Sequence, residues 1–151
     1  MTDRKLTVML ADDDDGHAML IQRNLVRAGL NANVIRMRTG VEVVSFFGRR
    51  RVDTIHQPLV VLLDINMPEM DGIEVLRRLK SDPASRSVPI YMLTTTDDPQ
   101  EVARCFALGC NAYLSKPVEY SAFSTSVERL CQFLAVSQIP GPELRKEGAG
   151  A

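Results

Sequence analysis

Carboxylates, a hydroxyl and an ammonium recur in this chain at the ends of apolar runs. Asp12 and Asp13 follow Leu6 to Ala11, Asp64 follows Leu59-Val60-Val61-Leu62-Leu63, Thr94 follows Ile90-Tyr91-Met92-Leu93, and Lys116-Pro117 follows Asn111 to Ser115. Such a set suits a hard divalent cation and a phosphoryl group, with the acids holding the ion and the ammonium and hydroxyl holding the anion. Singly, each residue has a plainer explanation. An aspartate after an apolar run is most often a turn or cap residue, Lys116 alone reads as a surface lysine, and Tyr113 alone as packing. The set acquires meaning only if a fold gathers it.

The same runs show how it could be gathered. Leu59 to Leu63 is uninterrupted and rich in β-formers, which suits a strand covered on both faces. Leu6 to Ala11, Ile90 to Leu93 and Asn111 to Ser115 read as further strands, and Asn33 to Arg38 as a weaker, edge-like one. Between them, apolar residues recur at helical spacing: Ala18, Ile21, Leu25 and Ala28; Val41, Val44 and Phe47; Ile73, Val75, Leu76 and Leu79; Val102, Cys105, Phe106 and Leu108; Phe123, Val127, Leu130 and Leu134. Asp98-Pro99 has the form of a cap followed by a first-turn proline, and Asp15 is read as the cap of the first helix, with Asp14 solvated. The stretch from Arg49 to Gln57 reads as a polar loop. Five strands alternating with five helices predict an α/β fold, a doubly wound (βα)5 parallel sheet with right-handed crossovers. In the flavodoxin-like order 2-1-3-4-5 the first and third strands meet at the switch point, so Asp12 and Asp13 face Asp64 where such sheets bind ligands. The folded domain is expected over residues 5–137, and the Pro-, Gly- and charge-rich stretch 138–151 is expected to be disordered.

Bulk properties exclude more than they assign. A chain of 151 residues is most simply one domain. Its 18 basic and 19 acidic residues leave a net charge of -1, which offers no general attraction for nucleic acid or an anionic membrane. Arg49-Arg50-Arg51 reads as a solvated loop. Cys105, Cys110 and Cys131 lack Cys-x-x-Cys spacing and fit a reducing compartment. The polar N-terminus is no signal peptide and no apolar stretch is long enough to span a bilayer, so the expected location is cytoplasmic. His17 and His56 have no partner motif and are expected to be exposed.

Taken in order, Asp12-Asp13, Asp64-x-Asn66-Met67-Pro68-x-x-Asp71-Gly72, Thr94 and Lys116-Pro117 resemble the receiver domain of two-component response regulators. Four separated pieces agree in order and spacing, which makes the likeness specific. The resemblance implies that Asp64 accepts a phosphoryl group from a sensor histidine kinase. It implies Mg²⁺ held by Asp13, Asp64 and the main-chain carbonyl of Asn66, with Asp12 acting through water. It implies Lys116 on one phosphoryl oxygen, Thr94 on another in the phosphorylated state alone, and Tyr113 changing rotamer with Thr94. It also implies a cis Lys116-Pro117 peptide, and a protein that catalyses its own phosphorylation and dephosphorylation rather than a turnover enzyme. Asn66 and Thr96 would flank the water that hydrolyses the phosphoryl group. A metal pair shifted to Asp13 and Asp14 is the alternative register; Asp12-Asp13 puts Leu20 and Leu25 at the first helix's core positions.

The loop from Gly48 to Gln57, Ser81-Asp82-Pro83 with Arg86 to Pro89, and Thr94 to Asp98 further resemble single-domain regulators that partner bacterial phytochrome kinases. That likeness implies a bacteriophytochrome as kinase and a homodimer through helix four, strand five and helix five, with Val102, Phe106 and Phe133 to Ile139 as the apolar patch. Output would come from protein binding or from passing the phosphoryl group onward in a phosphorelay. A phosphorylation-independent scaffold is the other reading. A haloacid-dehalogenase-type phosphohydrolase would need a second Asp where Asn66 stands, and a dinucleotide site would need glycines where Asp14-Asp15 stand.

Overall fold

The structure, a computed structural model, describes residues 5–145. Its strands are β1 (Lys5–Ala11), β2 (Asn31–Met37), β3 (Leu59–Leu63), β4 (Ile90–Thr94) and β5 (Ala112–Ser115). They form one parallel sheet in the order β2-β1-β3-β4-β5, as the alternating pattern predicts. The helices are α1 (Asp15–Arg27), α2 (Gly40–Gly48), α3 (Gly72–Ser81), α4 (Pro99–Leu108) and α5 (Tyr120–Val136). The two-residue pleat divides the buried runs between two cores. Leu6, Val8, Leu10, Val60 and Leu62 face α1 and α5; Met9, Ala11, Val61, Leu63 and Met92 face α2, α3 and α4. Every residue of β3 is buried, which explains why its sequence does not alternate.

Four local expectations are corrected. β2 starts at Asn31, because pairing with β1 from Lys5 recruits residues with little strand propensity of their own. The polar loop after α2 contains a 3₁₀ turn, Arg51–Thr54, whose Val52 is buried in the core, as is Ile55 beyond it. Asp14, not Asp15, caps α1: its carboxylate accepts the His17 N–H at 3.0 Å. The Asp12 carboxylate accepts the Asp14 N–H at 2.9 Å, and that tight turn brings Asp14 to the cap. Asp15 takes the first helical position and pairs with Arg38 and Arg36.

The fourth correction concerns the tail. Ile139 joins the core beside α1 and α5, a helical turn occupies 142–145, and Arg145 is buried with Nη2 donating to the Ile55 carbonyl at 2.7 Å. The expected disorder does not hold for 138–145, where burial and a hydrogen bond outweigh a loop-like composition; 146–151 lie outside the described residues.

Candidate functional site

The site is built by strand register. Ala11 lies opposite Leu63, so β1 and β3 leave the sheet level with each other, and the Asp64 N–H donates to the Ala11 carbonyl at 2.9 Å. Thr94 lies opposite Ser115, and the Lys116 N–H donates to the Thr94 carbonyl at 2.6 Å. The side chains that follow these strands converge at the switch point. Asp12, Asp13 and Asp64 each offer a carboxylate oxygen, and these oxygens lie within 4.8 Å of one another. Lys116 enters from the other side, with Nζ 2.5 Å from Asp12 Oδ2 and 3.2 Å from Asp64 Oδ2.

The loop after β3 is held against the site by two glycines. A Cβ on Gly72 would come within 2.1 Å of the Asp64 carbonyl, and one on Gly40 within 2.2 Å of the Met70 carbonyl. Only hydrogen fits at either place. The Gly72 N–H donates to the Ile65 carbonyl at 2.8 Å, and Asp71 caps α3 by accepting the Glu74 N–H. The loop therefore folds back on its own strand and presents Asn66, exposed, two residues past Asp64.

Asp12, Asp64 and Lys116 are all buried, while Asp13 is exposed. Burial raises the Asp12 carboxyl above its ordinary value; the Lys116 ammonium pulls it back down, and the nearby Asp64 charge adds a smaller upward push. One ammonium among three carboxylates leaves the cluster short of positive charge. The shortage is visible at a single atom: Asp64 Oδ1 is buried without a hydrogen-bond partner. An unpaired buried carboxylate oxygen costs several kcal/mol, roughly, unless something cationic or covalent completes it. An oxygen-only donor set with a spare buried lone pair fits a hard divalent ion.

Thr94 is buried at the end of β4, and its Oγ1 accepts the Thr96 N–H at 3.5 Å. Tyr113 on β5 is half-buried, and its hydroxyl donates to the Thr96 carbonyl at 2.6 Å. Burial pushes that phenol up to about 12, so it remains a donor at neutral pH. Thr94 and Tyr113 thus meet on one loop segment, the link between β4 and α4. The expected cis peptide is not found: no described peptide bond is cis, so Lys116-Pro117 is trans, the isomer X–Pro bonds favour by about 0.5–1 kcal/mol. The lysine is aimed by its acceptors instead.

His17, expected to be exposed, is instead half-buried beside the site, with 32% of its side chain open to solvent. Its Nδ1 is 3.1 Å from Lys116 Nζ, and its ring packs edge-on against Phe123 at 4.8 Å between centroids. A signal did exist in the sequence. His17 follows the cap of α1 by three residues, and helical side chains lean back toward the N-terminus, here toward Asp12.

The response regulator receiver domain family matches residues 8–128, and the chain belongs to that family. It is a receiver-domain response regulator of two-component signalling, with phytochrome response regulators among its relatives. A receiver domain from Rhodospirillum rubrum superposes with a TM-score of 0.83 at 40% identity, over 89% of this chain and 97% of that one. Response regulator Rcp1 of Synechocystis is 29% identical over 110 residues, 72% of this chain and 75% of Rcp1, and its Mn(2+)-bound form superposes with a TM-score of 0.83. The phosphorylated cyanobacterial phytochrome response regulator RcpA superposes with a TM-score of 0.81 at 27% identity, over 89% of this chain and 98% of that one. Receiver domains take phosphoryl groups from sensor histidine kinases and generally bind Mg²⁺ at an acidic pocket. The aspartate cluster here is consistent with that. Among the described residues no helix is long and apolar enough to cross a membrane.

Proposed function

We propose that this protein is a phosphorylation switch in which Asp64 accepts a phosphoryl group from a histidine kinase. The observation that carries the reading is Asp64 itself: one oxygen is tethered to Lys116, while the other is buried and unpaired beside two further acids. That free oxygen attacks phosphorus; the P–N bond of the kinase's phosphohistidine breaks, a P–O bond to Asp64 forms, and the imidazole leaves with the electron pair. Asp13, Asp64 and the Asn66 carbonyl would hold Mg²⁺, with Asp12 acting through water. When bound, the ion neutralises the charge that would otherwise repel the incoming phosphoryl group. Lys116 follows a phosphoryl oxygen as a compact point charge.

Thr94 then donates to another phosphoryl oxygen, a contact made only in the modified protein, and such a contact is what shifts a two-state equilibrium. The β4–α4 loop that Thr94 shares with Tyr113 carries the change to the α4-β5-α5 face. A second copy is the partner proposed for that face, supported by exposed Phe106 and Phe133 flanking the edge strand β5. Ile139, expected in that patch, is buried and does not belong to it. The likeness to RcpA and Rcp1 supports a bacterial phytochrome as the kinase. The protein acts on its own carboxylate and does not turn over a substrate as a conventional enzyme does.

The test is incubation with acetyl phosphate, with and without Mg²⁺. Metal-dependent modification at Asp64, abolished in Asp64→Asn, is the expected result. A phosphorylation-independent scaffold predicts no modification in either case, and that outcome would overturn the reading.

A further inference from the structure

Lys116 has three protons to donate and three acceptors around it: Asp12 Oδ2 at 2.5 Å, Asp64 Oδ2 at 3.2 Å and His17 Nδ1 at 3.1 Å. An ammonium has no lone pair to give, so a hydrogen bond at this contact makes Nδ1 the acceptor, which requires the tautomer that carries its proton on Nε2. Competing partners are poorer: Asp14 Oδ2 is 3.6 Å from Nδ1 and Asp12 Oδ2 is 4.0 Å. A protonated ring would also set two cations side by side.

The imidazole is held independently of the lysine. Its backbone N–H is fixed by the Asp14 cap, and its ring is wedged against Phe123, a buried residue of α5. A preorganised acceptor of this kind gives direction to a flexible donor at little entropic cost.

We infer that His17 is a positioning residue for Lys116, the one acceptor that keeps the ammonium in place while Asp12 and Asp64 change partners. The inference rests on the proposal that Asp64 is the phosphoacceptor. On modification, Asp64 gives up its charge to a mixed-anhydride bond with phosphorus, and Asp12 would turn from the ammonium toward the metal's water. Neither change touches His17. With His17 in place, the ammonium needs only to exchange its Asp64 bond for a phosphoryl oxygen. Without it, the ammonium loses its one lasting acceptor as Asp12 and Asp64 change partners, and its approach to the phosphoryl group is no longer fixed.

Two variants separate this role from packing. His17→Leu keeps bulk against Phe123 and removes the acceptor. His17→Asn returns an oxygen close to the position of Nδ1. In the metal-free protein, the ¹⁵N resonance of the Lys116 ammonium is expected to be protected from exchange in wild type and His17→Asn, and to lose that protection in His17→Leu. With acetyl phosphate and Mg²⁺, His17→Leu is expected to modify Asp64 about tenfold or more slowly, the worth of one hydrogen bond to a charged group, while His17→Asn recovers most of the rate. In complexes with beryllofluoride, one of the three ¹⁹F resonances, that of the fluorine facing Lys116, shifts in His17→Leu alone. Unchanged rate and ammonium protection in His17→Leu overturn the inference, as does an equal loss in both variants. A wild-type protein that takes no phosphoryl group at Asp64 sinks the functional reading and this inference together. A wild type that is modified normally beside an indifferent His17→Leu sinks only the inference.

Discussion

Two lysines in this molecule each direct an ammonium at three acceptors, and the acceptors differ in kind. Lys80, in the last turn of α3, donates to the carbonyls of Arg86 and Val88 at 3.1 and 2.9 Å and to Asn111 Oδ1 at 3.3 Å. All three are neutral, and desolvation lowers its pKa. Asn111 Oδ1 also accepts the Ile90 N–H at 2.8 Å, so Lys80 fastens α3 to the start of β4 and the turn before β5. Lys116 is more deeply buried, and two of its three acceptors are carboxylates. Carbonyls in a loop have no other chemistry to do, so the contacts of Lys80 are permanent. On the proposed function, carboxylates around Lys116 would bind metal or form a mixed anhydride with phosphorus, which would make its contacts exchangeable. The same side chain would then be a rivet in one place and a moving part in the other.

Replacing each lysine tests that contrast most severely. Lys116→Met is expected to reduce modification of Asp64 by acetyl phosphate about a hundredfold, as loss of a preorganised charge does. Lys80→Met is expected to leave that rate alone and to lower unfolding stability by about 1–2 kcal/mol in urea titrations. If Lys80→Met slowed modification as much as Lys116→Met, the distinction between rivet and moving part would fail.

Asp13 provides a milder probe, because it is exposed yet faces the acid cluster. Asp13→Asn is expected to weaken Mg²⁺ binding about tenfold by calorimetry. The same change raises the melting temperature of the metal-free protein, since it removes like-charge repulsion. A fall in that melting temperature would show that Asp13 stabilises the cluster in some other way.

Thr94→Ala is smaller still. It should accept a phosphoryl group but bind its partner about fivefold more weakly than modified wild type, the worth of one hydrogen bond. Equal affinities would remove Thr94 from the switch.

The apolar side of the molecule carries an effect that is silent at neutral pH, a dependence on alkaline pH. Burial pushes the Cys131 thiol up from an ordinary 9.0 to about 12. In the unfolded chain the thiol ionises near its ordinary value while the folded protein keeps its proton. The contribution is whole below that value and is lost as pH rises through the window toward 12. Cys131→Ala should flatten the decline in stability across that window, whatever it costs at neutral pH through the cavity it leaves. An equally steep decline in the variant would assign it to other groups.

Much of this was readable along the chain. The strand runs, the helical periodicities and the order β2-β1-β3-β4-β5 follow from local pattern plus the handedness of crossovers. So does the meeting of Asp12, Asp13 and Asp64, because strand ends in a parallel sheet share an edge. What misled were features whose energy comes from distant partners. Composition marked residues 138–145 as disordered, yet Ile139 finds a core and Arg145 a carbonyl 90 positions back in sequence. Among four consecutive aspartates the local pattern favoured Asp15 as the cap of α1, but the turn at Asp12 puts Asp14 there instead.

His17 shows the division most clearly. Local sequence determined that it lies in the first turn of α1, and helix geometry that its side chain leans toward the strand it follows. No local pattern could supply Lys116, which arrives from 99 residues away, or Phe123 behind the ring. Periodicity is encoded by neighbours and survives without tertiary contact. Which donor meets which acceptor is a matter of three-dimensional packing, and the folded chain alone decided it.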